Sequence, residues 1–271
     1  GMTGSPNFVM FREHTIYAPP LGAESVVVDL GAHRGQFSAQ MSARFGGRYY
    51  LVEANPVLVE RLHSESPFPV WHAAVGEING PVTLDIAKDP EASSLLPLDP
   101  DSPWPIARIG QIERPGRSLE SLLGDMGVRR IDVLKVDIEG AEMMVLGQLP
   151  PAILRDIGQI TIEFHGYAFG PPLWAQTEDV IRRLRRQGFL CLDFSKTLRV
   201  NVLCINLARH PVPWLRRLQW RVRTMPPSWA VRAWRALPPS WTRRLRRLVA
   251  QASTVDEEAW IAPAKRQRTD T

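Results

Sequence analysis

Five acidic or imidazole side chains fall at the ends of apolar runs, where a sheet of parallel strands presents its chemistry. In Ile131–Glu142 (IDVLKVDIEGAE), Lys135, Asp137 and Glu139 alternate, so an extended chain puts all three on one side. Three charges on one side of an otherwise apolar strand are costly to bury without partners. They predict the floor of an active site. In Gln159–His165 (QITIEFH), Glu163 and His165 share a side with Thr161 near the strand's end. A histidine beside two acidic strand ends can take up a proton near neutral pH. Glu163 would orient His165 or itself assist. Asp137 and Glu163 could instead hold a divalent cation that polarises a hydroxyl; with two carboxylates in hand, the metal-free arrangement ranks first.

Ligand binding is foreshadowed upstream. Val26–Phe37 reads VVVDLGAHRGQF: a β-branched run, Asp29, then Gly31 and Gly35 around a tight turn. Helical residues follow, and the first amides of a helix lack internal partners, so they can meet a carboxylate or phosphate. A dinucleotide fingerprint needs Gly-x-Gly-x-x-Gly, and His33 occupies its middle glycine. The spacing Asp-x-Gly-x-x-x-Gly points instead to the S-adenosylmethionine loop of class I methyltransferases. Glu53 closes the next apolar run, RYYLVE, 18 residues after Gly35. An acid at that strand tip can accept hydrogen bonds from ribose hydroxyls.

The elements that must position these groups follow from periodicity. Strands are expected at 26–29, 48–53, 69–75, 82–86, 133–138, 159–165, 189–194 and 200–207, and helices at 36–45, 56–63, 118–126, 141–149 and 174–187. Residues 87–117, rich in Pro, Asp and Ser, read as an irregular loop that shapes the acceptor site. Residues 1–25 read as a lead-in segment packed on the domain, and 26–207 as the domain itself. Strands alternating with helices predict an α/β three-layer sandwich, mostly parallel, with an antiparallel edge hairpin.

These residues together resemble the FkbM family of S-adenosylmethionine-dependent methyltransferases. The most specific part is Leu134–Glu142 (LKVDIEGAE) with Val145 and Leu146 after it. Asp29, Gly31 and Gly35 match the family's cofactor loop. Glu53, Asn55 and Pro56 match its second-strand motif, although Ala54 replaces a frequent proline. Ala74–Gly76, Ser93-Ser94 and Ile162-Glu163-x-His165 match three shorter motifs. The resemblance implies a Rossmann-like, seven-stranded sheet of order 3-2-1-4-5-7-6. It also implies methyl transfer to an oxygen, often of a sugar or polyketide. Gly31–Gly35 would then hold the methionine portion of the cofactor and Glu53 its ribose, with Asp137 near the methionine amino group and the reacting centre. No Asp/Asn-Pro-Pro-Tyr/Phe motif marks the fourth strand, which argues against an amino-methylating nucleic-acid enzyme.

Composition sets the remaining bounds. Apolar content of 44% fits a globular protein, and Cys191 and Cys204, both in apolar runs, read as buried reduced thiols of a cytoplasmic setting. The net charge of +5 is unevenly spread: residues 206–271 carry +10 and the remainder −5. Residues 208–250 hold eleven arginines and no acid, and Pro-Pro-Ser-Trp occurs at 226–229 and 238–241. Trp214, Leu215, Leu218 and Val222 form an apolar stripe, as do Trp241, Leu245 and Leu248. Tryptophan with arginine on short amphipathic helices fits a helix lying in a membrane interface; packing on the domain or a second subunit ranks next, and nucleic acid last. The expected picture is a bacterial cytoplasmic enzyme, peripheral at the inner membrane face, acting on a glycan or glycolipid. The competing picture is a catalytically silent module tethered by its basic tail, 208–271, to membrane or nucleic acid.

Overall fold

The structure, a computed structural model, describes residues 7–77, 79–87, 108–165, 171–195 and 200–224. A two-stranded hairpin opens it: β1 (Phe8–Phe11) and β2 (His14–Tyr17). Next come β3 (Val26–Leu30), α1 (Gln36–Phe45), β4 (Arg48–Glu53), α2 (Pro56–Glu65), β5 (Val70–His72), β6 (Ala74–Val75) and β7 (Gly80–Ala87). After residues 88–107 follow β8 (Arg108–Arg117), α3 (Leu119–Met126), β9 (Ile131–Val136), α4 (Glu142–Gln148) and α5 (Pro151–Arg155). The rest comprises β10 (Ile157–Glu163), α6 (Pro171–Arg186), β11 (Phe189–Asp193), β12 (Asn201–Asn206) and α7 (Trp214–Arg223).

The main sheet has seven strands in the order β11-β12-β10-β9-β3-β4-β5. Its strands are parallel except β12, which runs antiparallel to both β10 and β11. Counted along the chain within this sheet, that is the order 3-2-1-4-5-7-6 expected for a class I methyltransferase. Every residue of β3 and β9 is buried, as the unbroken apolar runs require of strands covered on both faces. Val27 and Val133 face a layer holding Phe37 and Met41 of α1 and Val9, Phe11 and Ile16 of the hairpin. Val26, Val28 and Leu134 face the opposite layer, with Leu122 of α3, Leu146 of α4 and Ile181 and Leu184 of α6. The sheet is therefore the middle of three layers. Cys191 and Cys204 are free, buried, and neighbours across the β11–β12 pair.

Two expectations need correction. Residues 69–75 do not form one strand. The Ala73 N–H donates to the Glu53 carbonyl, and Ala74–Val75 leaves the main sheet to join β7 and β8 in a second, three-stranded sheet. The stretch 87–117 is not irregular throughout, because Arg108–Arg117 is a ten-residue strand antiparallel to β7. Its Pro and Gly content hid a strand that a neighbouring strand stabilises, since strand preference is set more by context than by local composition. The lead-in segment is a hairpin whose Val9, Phe11 and Ile16 pack on the domain. Ser93 and Ser94 lie outside the described residues, as do both Pro-Pro-Ser-Trp repeats and the stripe of Trp241, Leu245 and Leu248.

Candidate active site

A cavity of about 510 Å³ opens at the carboxyl ends of β3, β4 and β9, where open parallel sheets bind ligands. Gly31, Glu53, Asp137 and Glu163 line it, together with Arg12, Glu13 and His14 of the hairpin and Lys135 of β9. Of the residues singled out in the sequence, Asp29, Gly35 and His165 are not among those lining it.

Asp29 is fully buried, its Oδ2 accepts from the Ser38 hydroxyl at 2.7 Å, and its Oδ1 lies 3.1 Å from Lys135 Nζ. It is an anchor for Lys135 and for the start of α1. Gly35 caps α1 at φ +72°, a left-handed conformation in which glycine carries no side-chain penalty. Gly31, at φ +75°, could carry no side chain: a Cβ there would stand 1.7 Å from the Asp137 carbonyl oxygen. That close approach joins the β3 turn to the end of β9.

Lys135 ties the floor together. Its ammonium donates to the Gly31 carbonyl at 2.6 Å and lies 3.3 Å from Asp137 Oδ2. Burial by itself would lower its pKa, but Asp29 and Asp137 outweigh burial and hold it protonated. Burial likewise opposes the ionised form of Asp137, yet Lys135, His14 and His165 keep its carboxyl well below the usual range. The strand ends at Val136, and Glu139 reaches the site through a turn at φ +51°, not by simple alternation.

Glu53 is buried and held from behind. Its Oε2 accepts the His33 N–H at 2.8 Å, and its Oε1 accepts those of Ala54 and Asn55 at 2.9 and 2.8 Å. Burial raises its pKa against the pull of these donors.

The two histidines differ sharply. Nδ1 of His165 lies 2.8 Å from Glu142 Oε1, and its Nε2 lies 3.4 Å from Glu139 and 3.7 Å from Glu163. Burial lowers its pKa, but Glu139, Glu142 and Glu163 overcome that and raise it well above the ordinary value. His165 is thus a caged imidazolium. His14 lies against the other side of Asp137, with Nε2 3.4 Å from Oδ2 and Nδ1 3.3 Å from the Thr161 hydroxyl. Burial dominates there, Lys135 adds to it, and the pKa of His14 is lowered. This histidine is neutral at pH 7. Burial pushes Glu163 up to about 8, with Asp137 adding repulsion, and Glu139 up to about 7.

Sequence reading missed His14, Arg12, Glu13 and the clamp Glu142. Nothing in the spacing links a residue in the first twenty to the end of β10. Glu142 did leave a signal, as the second acid in Glu139-Gly140-Ala141-Glu142. It is fully buried and accepts the N–H groups of Ile138 and Gly140, fixing the turn that carries Glu139. Among the described residues, His14–Asp137–Glu163 and Asp137–Glu139–His165 are the groups whose side-chain ligand atoms all lie within 4.8 Å and could hold a metal ion.

The family model for the methyltransferase FkbM domain matches residues 29–191, more than half of the chain. The chain belongs to the FkbM methyltransferase family. Among curated relatives, the AMB antimetabolite synthetase AmbE of Pseudomonas aeruginosa is 38% identical over 73 residues, 27% of this chain and 3% of that protein. The human probable methyltransferase-like protein 24 is 34% identical over 88 residues, 32% of this chain and 24% of the relative. The chain thus matches only a small part of each. Among solved structures, an FkbM methyltransferase from Methylobacillus flagellatus is 16% identical with a TM-score of 0.44, over 68% of this chain and 44% of that one. Of the residues lining the cavity, Gly31, Glu53, Lys135, Asp137 and Glu163 lie inside the FkbM domain, whereas the hairpin carrying Arg12, Glu13 and His14 precedes it.

Proposed function

We propose that this FkbM protein transfers a methyl group from S-adenosylmethionine to a hydroxyl oxygen of a sugar, glycolipid or polyketide-type acceptor. The observation that carries the reading is a single cavity that joins a cofactor-type wall to a proton-transfer wall. The residues present fit the cofactor. Glu53 keeps acceptor capacity beyond its three backbone donors, because a carboxylate offers about four lone-pair sites. The N-terminus of α1 has no side-chain cap, which leaves first-turn amides for a ligand carboxylate. Leu58, Ala74 and Val75 give the same wall an apolar stretch. When bound, S-adenosylmethionine supplies an electrophilic methyl group on a sulfonium.

The chain's own part is to hold charge and move one proton. Asp137 stays ionised beside the cavity and favours a cationic ligand. An alcohol is a poor nucleophile, so a base must take its proton as the new bond forms. His165 already holds its proton, which passes the role to groups on the cavity wall. Neutral His14 is the first choice: with its Nε2–H donated to Asp137, the Nδ1 lone pair that faces the Thr161 hydroxyl would take the proton. Glu163, with its pKa near 8, is the second. Calorimetry with S-adenosylhomocysteine is the test, with saturable binding expected in the micromolar range. Folded protein that binds none at millimolar ligand would overturn the reading and favour a catalytically silent module. Labelled-methyl transfer to a panel of sugars, glycolipids and polyketides then identifies the acceptor.

A further inference from the structure

Helix α7 is turned the opposite way from an ordinary packed amphipathic helix. It is fixed to the domain by Trp220, which is 8% exposed and packs its ring on Phe8 and Tyr17 at centroid distances of 4.7 and 5.8 Å. Val212, just before the helix, is buried in the same cluster. Yet Trp214, Leu215 and Leu218 are 69%, 56% and 53% exposed, and among the described residues Val57 is the only other large apolar side chain so open. At about 100° per residue these three span an arc of roughly 100° on one side of the helix. Exposed Arg221 lies about 20° outside the Trp214 edge of that arc and Arg217 about 60° outside it, whereas Arg216 lies about 100° beyond the Leu215 edge, nearer the buried Trp220. The helix also contains Arg223 and no acidic residue.

We propose that this outer face of α7 docks on an anionic lipid bilayer. The tryptophan and leucines would enter the headgroup–acyl boundary, and the flanking arginines would meet lipid phosphates. Charge selects this occupant. A second copy of the chain docking through the same face would set arginine against arginine with no acid on the helix to offset them. A nucleic acid would be met first by tryptophan and leucine, not by the arginines beside the arc. Among the described residues no helix is long and apolar enough to cross a membrane, so the attachment is to the surface. The remainder of the chain outside 206–271 carries −5 and is repelled by anionic lipid, which leaves the attraction to this helix and the basic residues that follow it. The inference does not rest on methyl transfer, and its test needs neither cofactor nor acceptor.

The test is co-sedimentation of the full chain with phosphatidylcholine vesicles, with and without a third of phosphatidylglycerol. The wild type is expected to pellet with the anionic vesicles and weakly with the neutral ones. Trp214→Ser/Leu215→Ser/Leu218→Ser, at exposed positions that leave Trp220 in place, should weaken binding roughly tenfold or more. Arg221→Gln should weaken it too and should reduce its salt dependence without abolishing it. Failure of the wild type to pellet would overturn the proposal, as would binding by the triple serine variant equal to wild type. A concentration-dependent dimer that the triple variant abolishes, or duplex or single-stranded nucleic acid displacing the protein from vesicles through these same residues, would reassign the face.

Discussion

Asp137 is held on two sides by groups of opposite character: Lys135 and His14 on Oδ2, His165 near Oδ1. This divides the site into an imidazolium cage behind the wall and a neutral imidazole on it. The division predicts different fates for the two histidines. His14→Gln keeps hydrogen-bonding capacity toward Asp137 and Thr161 but cannot accept a proton. Its turnover should fall ~10²–10⁴-fold, with S-adenosylhomocysteine affinity nearly unchanged by calorimetry. His165→Gln should cost less. Wild-type turnover in the His14 variant would move the base to Glu163. The carboxylates carry a second prediction. Glu139, Glu163 and His165 all bind protons more tightly in the folded protein than in the unfolded one. Their stabilisation is complete below the unfolded glutamate pKa of about 4.5 and is lost as pH rises through about 7 and 8. Asp137 has the opposite sign and loses its stabilisation only as pH falls below the ordinary aspartate value. The thermal midpoint of the wild type should therefore decline between about pH 5 and pH 9, and Glu163→Gln should flatten that decline. Parallel curves for the two proteins would exclude Glu163 as a contributor.

Elements show how far local pattern reaches. α1 was legible to the residue, because Gly35 and Gly46 bracket its apolar period. α2 was legible from Asn55, whose side chain accepts the Val57 N–H, with Pro56 opening the helix. The parallel character of the main sheet followed from strands alternating with helices, and its strand order from the FkbM resemblance. What was not legible was long-range pairing. β8 exists because β7 lies beside it. β6 parts from β5 to pair in parallel with the end of β8. The hairpin left one indirect trace. On β10, Gln159 and Thr161 are buried polar side chains in the middle of a sheet, and buried polar groups need partners. Those partners are in the hairpin: the Gln159 amide accepts the Tyr17 N–H at 2.8 Å and donates to the Tyr17 carbonyl at 2.9 Å, while Thr161 meets His14. Alternate residues of one strand thus dock the segment that brings His14 to the cavity. Only the unmet demand was visible in sequence, not its answer.

Across the whole molecule, the two ends of the described chain grip each other beyond the FkbM domain limits of 29 and 191. Phe8 packs on Trp220 and on Phe194, and Tyr17 packs on Trp220 and His210. The hairpin therefore spans from this aromatic cluster, at Phe8 and Tyr17, to the cavity, at Arg12, Glu13 and His14. Helix α7 acts at a distance: its inner tryptophan secures the far end of a two-stranded lever whose near end carries the proposed base. Two strands alone are marginal in water, so loss of that support should be felt along the hairpin. Trp220→Ala should destabilise the protein by about 3 kcal/mol or more, read as a lower thermal midpoint, and should speed hydrogen exchange in residues 8–17. Below the lowered midpoint, turnover should still fall, because His14 loses its fixed position. S-adenosylhomocysteine binding should persist, because Gly31 and Glu53 belong to β3, β4 and their turns, which the clasp does not touch. Slower turnover with intact binding and a loosened hairpin would establish the clasp as a positioning device for His14. Unchanged turnover with the same loss of stability would show that Gln159 and Thr161 hold His14 without help from α7.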